Sequence, residues 1–241
     1  MNKDSLHSFG FIYIDPEAGL TFDLAGTFHI DQDGKFIPKK NDSISIKHRL
    51  EPNETLVALI PETKFGELQI PAVPVWLQYY KTDTTAIVTF YRRGYLYNAW
   101  NEYEMALTYL EKGEKKDPAF KGLSFELGYA YNALGKFEKA IAVLESAVKR
   151  NPADCYLYKE LSYAQIHMGQ LDKAAATCAK GISLCEDKDM KAEIALNLAQ
   201  QFYKQKDQQQ FKHWADETKK WAADGDKYTT IILAMEKNLT Q

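Results

Sequence analysis

The stretch KGLSFELGYAYNALGKFEKAIAVLESAVKRNPAD, Lys121 to Asp154, decides the fold. It carries two apolar stripes with a break between them. Leu127, Tyr131 and Leu134 recur at steps of three and four, and so do Phe137, Ala140, Ile141, Leu144 and Val148. Such steps put side chains on one face of a helix. Gly135 falls between the stripes, where a residue able to turn left-handed ends one helix before the next begins. Pro152 closes the stretch, because proline cannot continue a helix interior. The reading is a helical hairpin whose two stripes face each other. Gly128 and Ala140 are small, as two helices require where they cross closely.

Working outward, three more segments superpose on this one at a step of about 34 residues, a period that signals stacked helical hairpins. The four units run over 87–120, 121–154, 155–188 and, after a slip of three residues, 192–225. Their seventh and eighth positions hold Arg93-Gly94, Leu127-Gly128, Leu161-Ser162 and Leu198-Ala199. The eleventh holds Tyr97, Tyr131, Gln165 and Phe202, the twentieth Ala106, Ala140, Ala174 and Phe211, and the twenty-fourth Leu110, Leu144, Cys178 and Ala215. Asn101 and Gly169 stand where Gly135 does, but the fourth unit has Lys206 there. Ile231, Ile232, Met235 and Leu239 then mark a closing helix over 228–239, of the kind that covers the end of such an array.

This skeleton resembles the tetratricopeptide repeat, whose pattern is Trp-x2-Leu-Gly-x2-Tyr, then Ala-x3-Phe, then Pro. The match is strongest over 121–154 and weakest over 192–225, where Phe211 and Ala215 exchange the small and large positions. Arg93, in place of leucine, also departs from the pattern. The resemblance implies a non-catalytic protein that binds a protein or peptide partner. In this family the first helix of each unit lines a concave groove. The residues that the resemblance carries into it are Tyr91, Tyr95 and Asn98 from the first unit and Phe125, Tyr129 and Asn132 from the second. Lys159, Tyr163 and His167 come from the third. Tyr95, Tyr129 and Tyr163 form a row, with Asn98 and Asn132 expected beside them. The same tyrosines read equally as intramolecular packing. One subgroup of the family clamps a C-terminal carboxylate with Lys and Asn at positions that here are Tyr91 and Tyr95, so that mode is not expected.

Residues 1–81 change period. Phe9 to Ile14, Leu20 to Ile30, Ile44 to His48 and Leu56 to Ile60 read as strands, the last as a buried one. Asp15 to Gly19, Asp31 to Gly34 and Glu51 to Glu54 read as turns, and Gly26 as a bulge. The expected fold is therefore α+β: a small antiparallel β domain of four to six strands in 1–81, then a superhelical α array in 82–241. The connector Gln69 to Lys81, with Pro71, Pro74 and Trp76, is too apolar for a free linker and is expected to pack between the domains. Thr82 to Thr85 offers helix caps.

Bulk properties narrow the function. The net charge is −3, with 8 Lys and Arg against 12 Asp and Glu up to residue 86, so nucleic acid is not an expected partner. No apolar run is long enough to span a bilayer. The segment Met1 to His7 lacks the apolar core of a signal peptide, which points to the cytoplasm and leaves the sequons at Asn41, Asn53 and Asn238 without meaning. Cys155, Cys178 and Cys185 lack a Cys-x-x-Cys pair and read as free core thiols. No catalytic motif, cofactor fingerprint or metal site is evident. His29 and His48 across two strands, and Asp31-x-Asp33-Gly34 as part of a calcium loop, both lack the further ligands such sites need. Two other readings stay open: a small-ligand or enzymatic activity in the β domain, and homodimerisation through the array.

Overall fold

The computed structural model describes residues 6–15, 18–41, 46–51, 56–80, 83 and 85–239. Pro16 and Glu17 of the first turn, residues 42–45, the turn at 52–55, the caps Thr82 and Thr84 and parts of all three sequons lie outside them. The chain divides into two compact units, Met1–Thr89 and Phe90–Gln241.

The first unit is built on one antiparallel sheet. Strand β1 (His7–Asp15) pairs with β2 (Gly19–Ile30), and β2 pairs on its other edge with β3 (Phe36–Lys40) and β4 (Ile46–Arg49). The register of β1 and β2 shifts beside Gly26: Phe9 lies opposite Gly26 and Gly10 opposite Leu24, which leaves Ala25 as the bulge. Both glycines are required by close approach. A side chain on Gly10 would meet the carbonyl of Asp23, and one on Gly26 would sit 2.5 Å from the carbonyl of Lys39. Asp31 closes the β2–β3 hairpin by accepting the N–H of Asp33 and of Lys35 on Oδ1.

Phe9, Phe28 and Leu68 form the core of this unit, with Ile60 and Ile70 packed on it. Leu68 belongs to the short helix α1 (Phe65–Leu68). Glu67 pins that helix to β3, accepting the N–H of Phe36 at 2.7 Å and the ammonium of Lys64 at 2.8 Å. The run Leu56 to Ile60 is not the buried strand expected of it. It joins no ladder, and Leu56 and Leu59 are fully exposed. Both edges of β2 are already taken, and strand preference without a pairing partner does not make a strand. Trp76 packs edge-on to Tyr13 at 4.9 Å and to Phe11 at 6.1 Å.

The rest of the chain is helical. The hairpins are α2 (Ile87–Ala99) with α3 (Tyr103–Lys116), α4 (Leu123–Ala133) with α5 (Phe137–Arg150), α6 (Cys155–His167) with α7 (Leu171–Leu184), and α8 (Lys188–Gln205) with α9 (Gln208–Trp221). Helix α10 (Lys227–Leu239) follows and buries Tyr228 and Ile232 in the core of the last hairpin. The slip of three residues before the fourth unit is absorbed at the start of α8, which runs 18 residues. The turn residues behave as the alignment requires. Asn101, Gly135, Gly169 and Lys206 all take left-handed backbone, at φ of 60°, 68°, 70° and 62°.

The eighth and twenty-fourth positions meet inside each of the first two hairpins. A side chain on Gly128 would lie 2.6 Å from Leu144, and one on Gly94 would strike Leu110. Ala106, Ala140 and Ala174 are fully buried at the same crossing layer. Ala140→Leu is expected to overpack it and cost about 1–3 kcal/mol. The same change at exposed Ala142 is expected to cost far less. Denaturation midpoints of the two variants check the register, since equal losses would contradict it.

Candidate functional site

The first helices of the units, α2, α4 and α6, carry every residue singled out above. Their structure sorts those residues into two layers. The buried layer holds the asparagines. Asn98 donates Nδ2 to the carboxylate and to the backbone carbonyl of Glu126, at 2.8 and 2.9 Å. Asn132 repeats the bridge one unit on, reaching Glu160 Oε2 at 2.9 Å and its carbonyl at 3.0 Å. All four side chains are buried. The expectation that Asn98 and Asn132 stand exposed beside the tyrosines is therefore corrected. Their amide groups tie each unit to the next.

Burial pushes the carboxyls of Glu126 and Glu160 above the ordinary value near 4.5, against the pull of the amide hydrogen bonds. The third unit has Ile166 at the position of these asparagines, and the bridge stops there. Glutamate at the sixth position and asparagine at the twelfth is a pattern visible in the alignment. The signal was the repetition of two polar residues among apolar ones, one unit apart.

The outer layer is aromatic, in three groups, of which the second and third join neighbouring hairpins. Tyr95 lies 6.5 Å from Tyr91, and Tyr91 lies 5.4 Å from Phe120. Tyr91 fits because Gly122 leaves room for its ring; a side chain there would come within 2.8 Å of its hydroxyl. In the second group Tyr103, Tyr129, Phe125 and Tyr156 succeed one another at 5.9, 6.5 and 6.1 Å. In the third, Phe137 stacks on His167 at 4.6 Å, and Tyr163 lies 4.4 Å from His167.

The row is thus partly self-packed. Tyr129 rests on Tyr103 and Tyr163 on Phe137, each at the start of the preceding hairpin's second helix. Tyr95 has no preceding hairpin in the array to rest on and is 47% exposed. Tyr156, not among the expected residues, is 49% exposed. It stands at the second position of its unit, next to Cys155. Lys159 is held by Glu193 at 2.8 Å. Burial pushes the Tyr129 hydroxyl up to about 12, with the Tyr103 hydrogen bond and the charges of Glu160 and Glu126 adding to it. Burial lowers the imidazole of His167, which is therefore neutral at pH 7.

The thiols are not all free. Cys155, the first residue of α6, is disulfide-bonded to Cys185 at the end of α7, with Cα atoms 5.4 Å apart. Sequence reasoning missed the pair because the two lie 30 residues apart and meet only when the hairpin closes. Cys178 remains a buried thiol, pushed up to about 12 by desolvation. No metal-binding group of His, Cys, Asp and Glu occurs among the described residues. The ladder sets His29 opposite Ile37 and His48 opposite Phe22, so the two do not face each other. No helix among the described residues is long and apolar enough to cross a membrane.

Two models of the tetratricopeptide repeat match the chain, over residues 91–155 and 133–184. Among solved structures, YrrB, a tetratricopeptide-repeat protein with an unusual peptide-binding site, is 19% identical at a TM-score of 0.55, over 64% of this chain and 76% of its own. TTC0263, a thermophilic tetratricopeptide-repeat protein of Thermus thermophilus, is 18% identical at 0.53, over 66% and 84%. A MamA double mutant of RS-1 is 20% identical at 0.52, over 63% and 83%. At such identities the likeness is one of fold. No curated protein matches the sequence.

Proposed function

Since residues 91–184 are tetratricopeptide repeats within a longer helical array, we propose that this protein is a non-catalytic scaffold whose array binds a protein or peptide partner. The observation that carries the reading is the aromatic strip along α2, α4 and α6. Tyr95 and Tyr156 offer about half of their surface to solvent at either end of it. Helix packing does not need these two rings. Exposed aromatic area of this kind marks interaction surfaces. Within the strip, Tyr91, Phe125, Tyr129, Tyr163 and His167 supply the wall, and Lys159 with Glu193 the polar rim. Asn98 and Asn132 act beneath it by holding successive units in register.

The test is a double variant, Tyr95→Ala with Tyr156→Ala. Both rings are half-exposed, so the helical circular dichroism spectrum is expected to stay unchanged. Affinity for a partner identified by capture with the intact chain is expected to fall at least about tenfold. Undiminished binding would place the partner elsewhere. Size measurement in solution separates a second copy of the chain from a different partner. The setting also bears on function. A cytoplasmic location, expected from the sequence, would keep Cys155 and Cys185 reduced, and the bonded pair favours an oxidising compartment.

A second reading rests on the first unit. A cleft of about 550 Å³ opens between the sheet and the segment 69–76, walled by Phe9, Phe11 and Trp76. Asp23, Lys40 and Asn41 line it as well. That combination suits a small ligand with an apolar body and polar ends. Ligand-dependent quenching of Trp76 fluorescence, lost in Phe11→Ala, is the check on it.

A further inference from the structure

We propose that this protein forms a closed homodimer by strand exchange, in which the segment Leu56 to Ile60 of each copy pairs as an added strand with the outer edge of β1 in the other. The interaction belongs to the first unit and does not depend on what the aromatic strip binds. Three observations carry it.

The first is a strand-forming segment without a ladder. Leu56-Val57-Ala58-Leu59-Ile60 is apolar throughout and carries no charge. It lies in no helix or strand and makes no backbone hydrogen bond with another described residue. Leu56 and Leu59 are fully exposed, and Val57 is more than half exposed. Only Ile60 is sheltered, against the core of Phe9, Phe28 and Leu68. A run of apolar side chains left in water is unfavourable, and covering it is the gain that association offers.

The second is an edge without a strand. β1 ends the sheet and pairs with β2 along one side. Among the described residues no strand lies along its other side. The bulge falls in β2, at Ala25, so β1 itself runs regularly over its nine residues. From His7 to Ile14 it holds no Lys, Arg, Asp, Glu or Pro. Charges, prolines and bulges are the devices that keep an edge strand from pairing, and this stretch of β1 has none of them. Ser8 and Ile12, its exposed side chains, stand on one face.

The third observation selects a second copy as the occupant. Ile60 rests on the core at one face of the sheet, and the chain beyond it is anchored at the β2–β3 hairpin. There Lys64 donates to the carbonyl of Gly34 at 3.0 Å, and Glu67 accepts the N–H of Phe36. The segment is thereby kept over a face and off the β1 edge of its own copy, where it joins no ladder. Each copy thus carries one unpaired strand and one open edge. A foreign strand would satisfy one of the two. Two copies related by a two-fold axis satisfy both at once and leave neither to recruit a third. Main-chain hydrogen bonds supply the affinity of such an added strand, and burial of Leu56, Val57 and Leu59 adds to it.

Sedimentation of the full-length protein at about 100 μM is expected to give a mass near twice the 27.6 kDa of one chain. Leu56→Lys/Leu59→Lys, at fully exposed positions, is expected to be a monomer with an unchanged circular dichroism spectrum. The same is expected of Ser8→Lys/Ile12→Lys, which guards the edge with charge. An equimolar mixture of the two variants keeps one intact edge and one intact segment on different copies. The dimer is therefore expected to return in the mixture, at least about tenfold weaker than in the wild type. Tyr95→Ala/Tyr156→Ala is expected to stay dimeric. A monomeric wild type, a dimer that survives either lysine variant, or a mixture that stays monomeric would each overturn the inference. Loss of the dimer in Tyr95→Ala/Tyr156→Ala would overturn it as well, by placing the second copy on the aromatic strip.

Discussion

Cys155→Ser is expected to lower the stability of the helical array by roughly 3–4 kcal/mol. The Cys155–Cys185 bond closes a loop over a sequence separation of 30 residues. On the chain-entropy account, a loop of that length removes about this much freedom from the unfolded chain. The bond joins the first residue of α6 to the end of α7, so it shuts the open end of the third hairpin. Urea denaturation of the wild type with and without dithiothreitol checks the figure. Reduction should reproduce the loss in the wild type and leave Cys155→Ser unmoved. A wild-type midpoint indifferent to reductant would show that the bond contributes nothing. Thiol titration adds a second reading. Unfolded without reductant, the wild type should show one free thiol, Cys178, which is inaccessible in the fold.

Asn132→Ala is expected to cost about 3 kcal/mol at pH 7, because it leaves a buried carboxylate without its donor. Glu160 is 6% exposed, and Asn132 is the side chain that meets it. Glu160→Gln is expected to do the opposite and hold or raise stability at the same pH. A neutral amide still accepts from Asn132 Nδ2. It also avoids burying charge, and it can donate to Asn132 Oδ1, which has no partner in the fold.

The pH dependence follows from the same side chains. Glu126 and Glu160 have folded values raised above their unfolded ones. Each therefore contributes stability that is full below the unfolded value near 4.5 and is lost as pH rises through the folded value. The advantage of Glu160→Gln over the wild type should then grow between about pH 5 and pH 7. An advantage that shrank over that range would mean the carboxyl is held ionised by a contact other than Asn132.

Neither the disulfide nor the Asn–Glu bridge was expected from the sequence, whereas the repeat they reinforce was. The period of about 34 residues, the crossing glycines and alanines and the left-handed turn positions are local or nearest-neighbour facts. Each hairpin contacts only its neighbours in the stack. A residue's role therefore follows from its place in the repeat, and the small residue Gly128 at a helix crossing is legible in the alignment alone. Even Lys206 is identifiable as a turn residue, since its position outweighs its poor left-handed preference.

The site was legible only in outline. The alignment named three helices and a row of tyrosines, but it could not distinguish a ring on the surface from one against its neighbour, and it passed over Tyr156. Tyr129 and Tyr163 pack on Tyr103 and Phe137 because a preceding hairpin stands beside them, and Tyr95 is open because none does. Asn98 and Asn132 looked like groove donors for the same reason. Their burial depends on Glu126 and Glu160, 28 residues further along the chain. The first unit was harder still, since strand pairing is non-local. Leu56 to Ile60 has the composition of a strand and no ladder to join, and Trp76 packs on Phe11 and Tyr13 of the first strand. The repeat, its period and its turns could be read from residue order, because they depend on spacing along one helix or between adjacent hairpins. The disulfide, the Asn–Glu bridges and the choice of which tyrosines face solvent came only with folding, because each depends on two distant segments meeting.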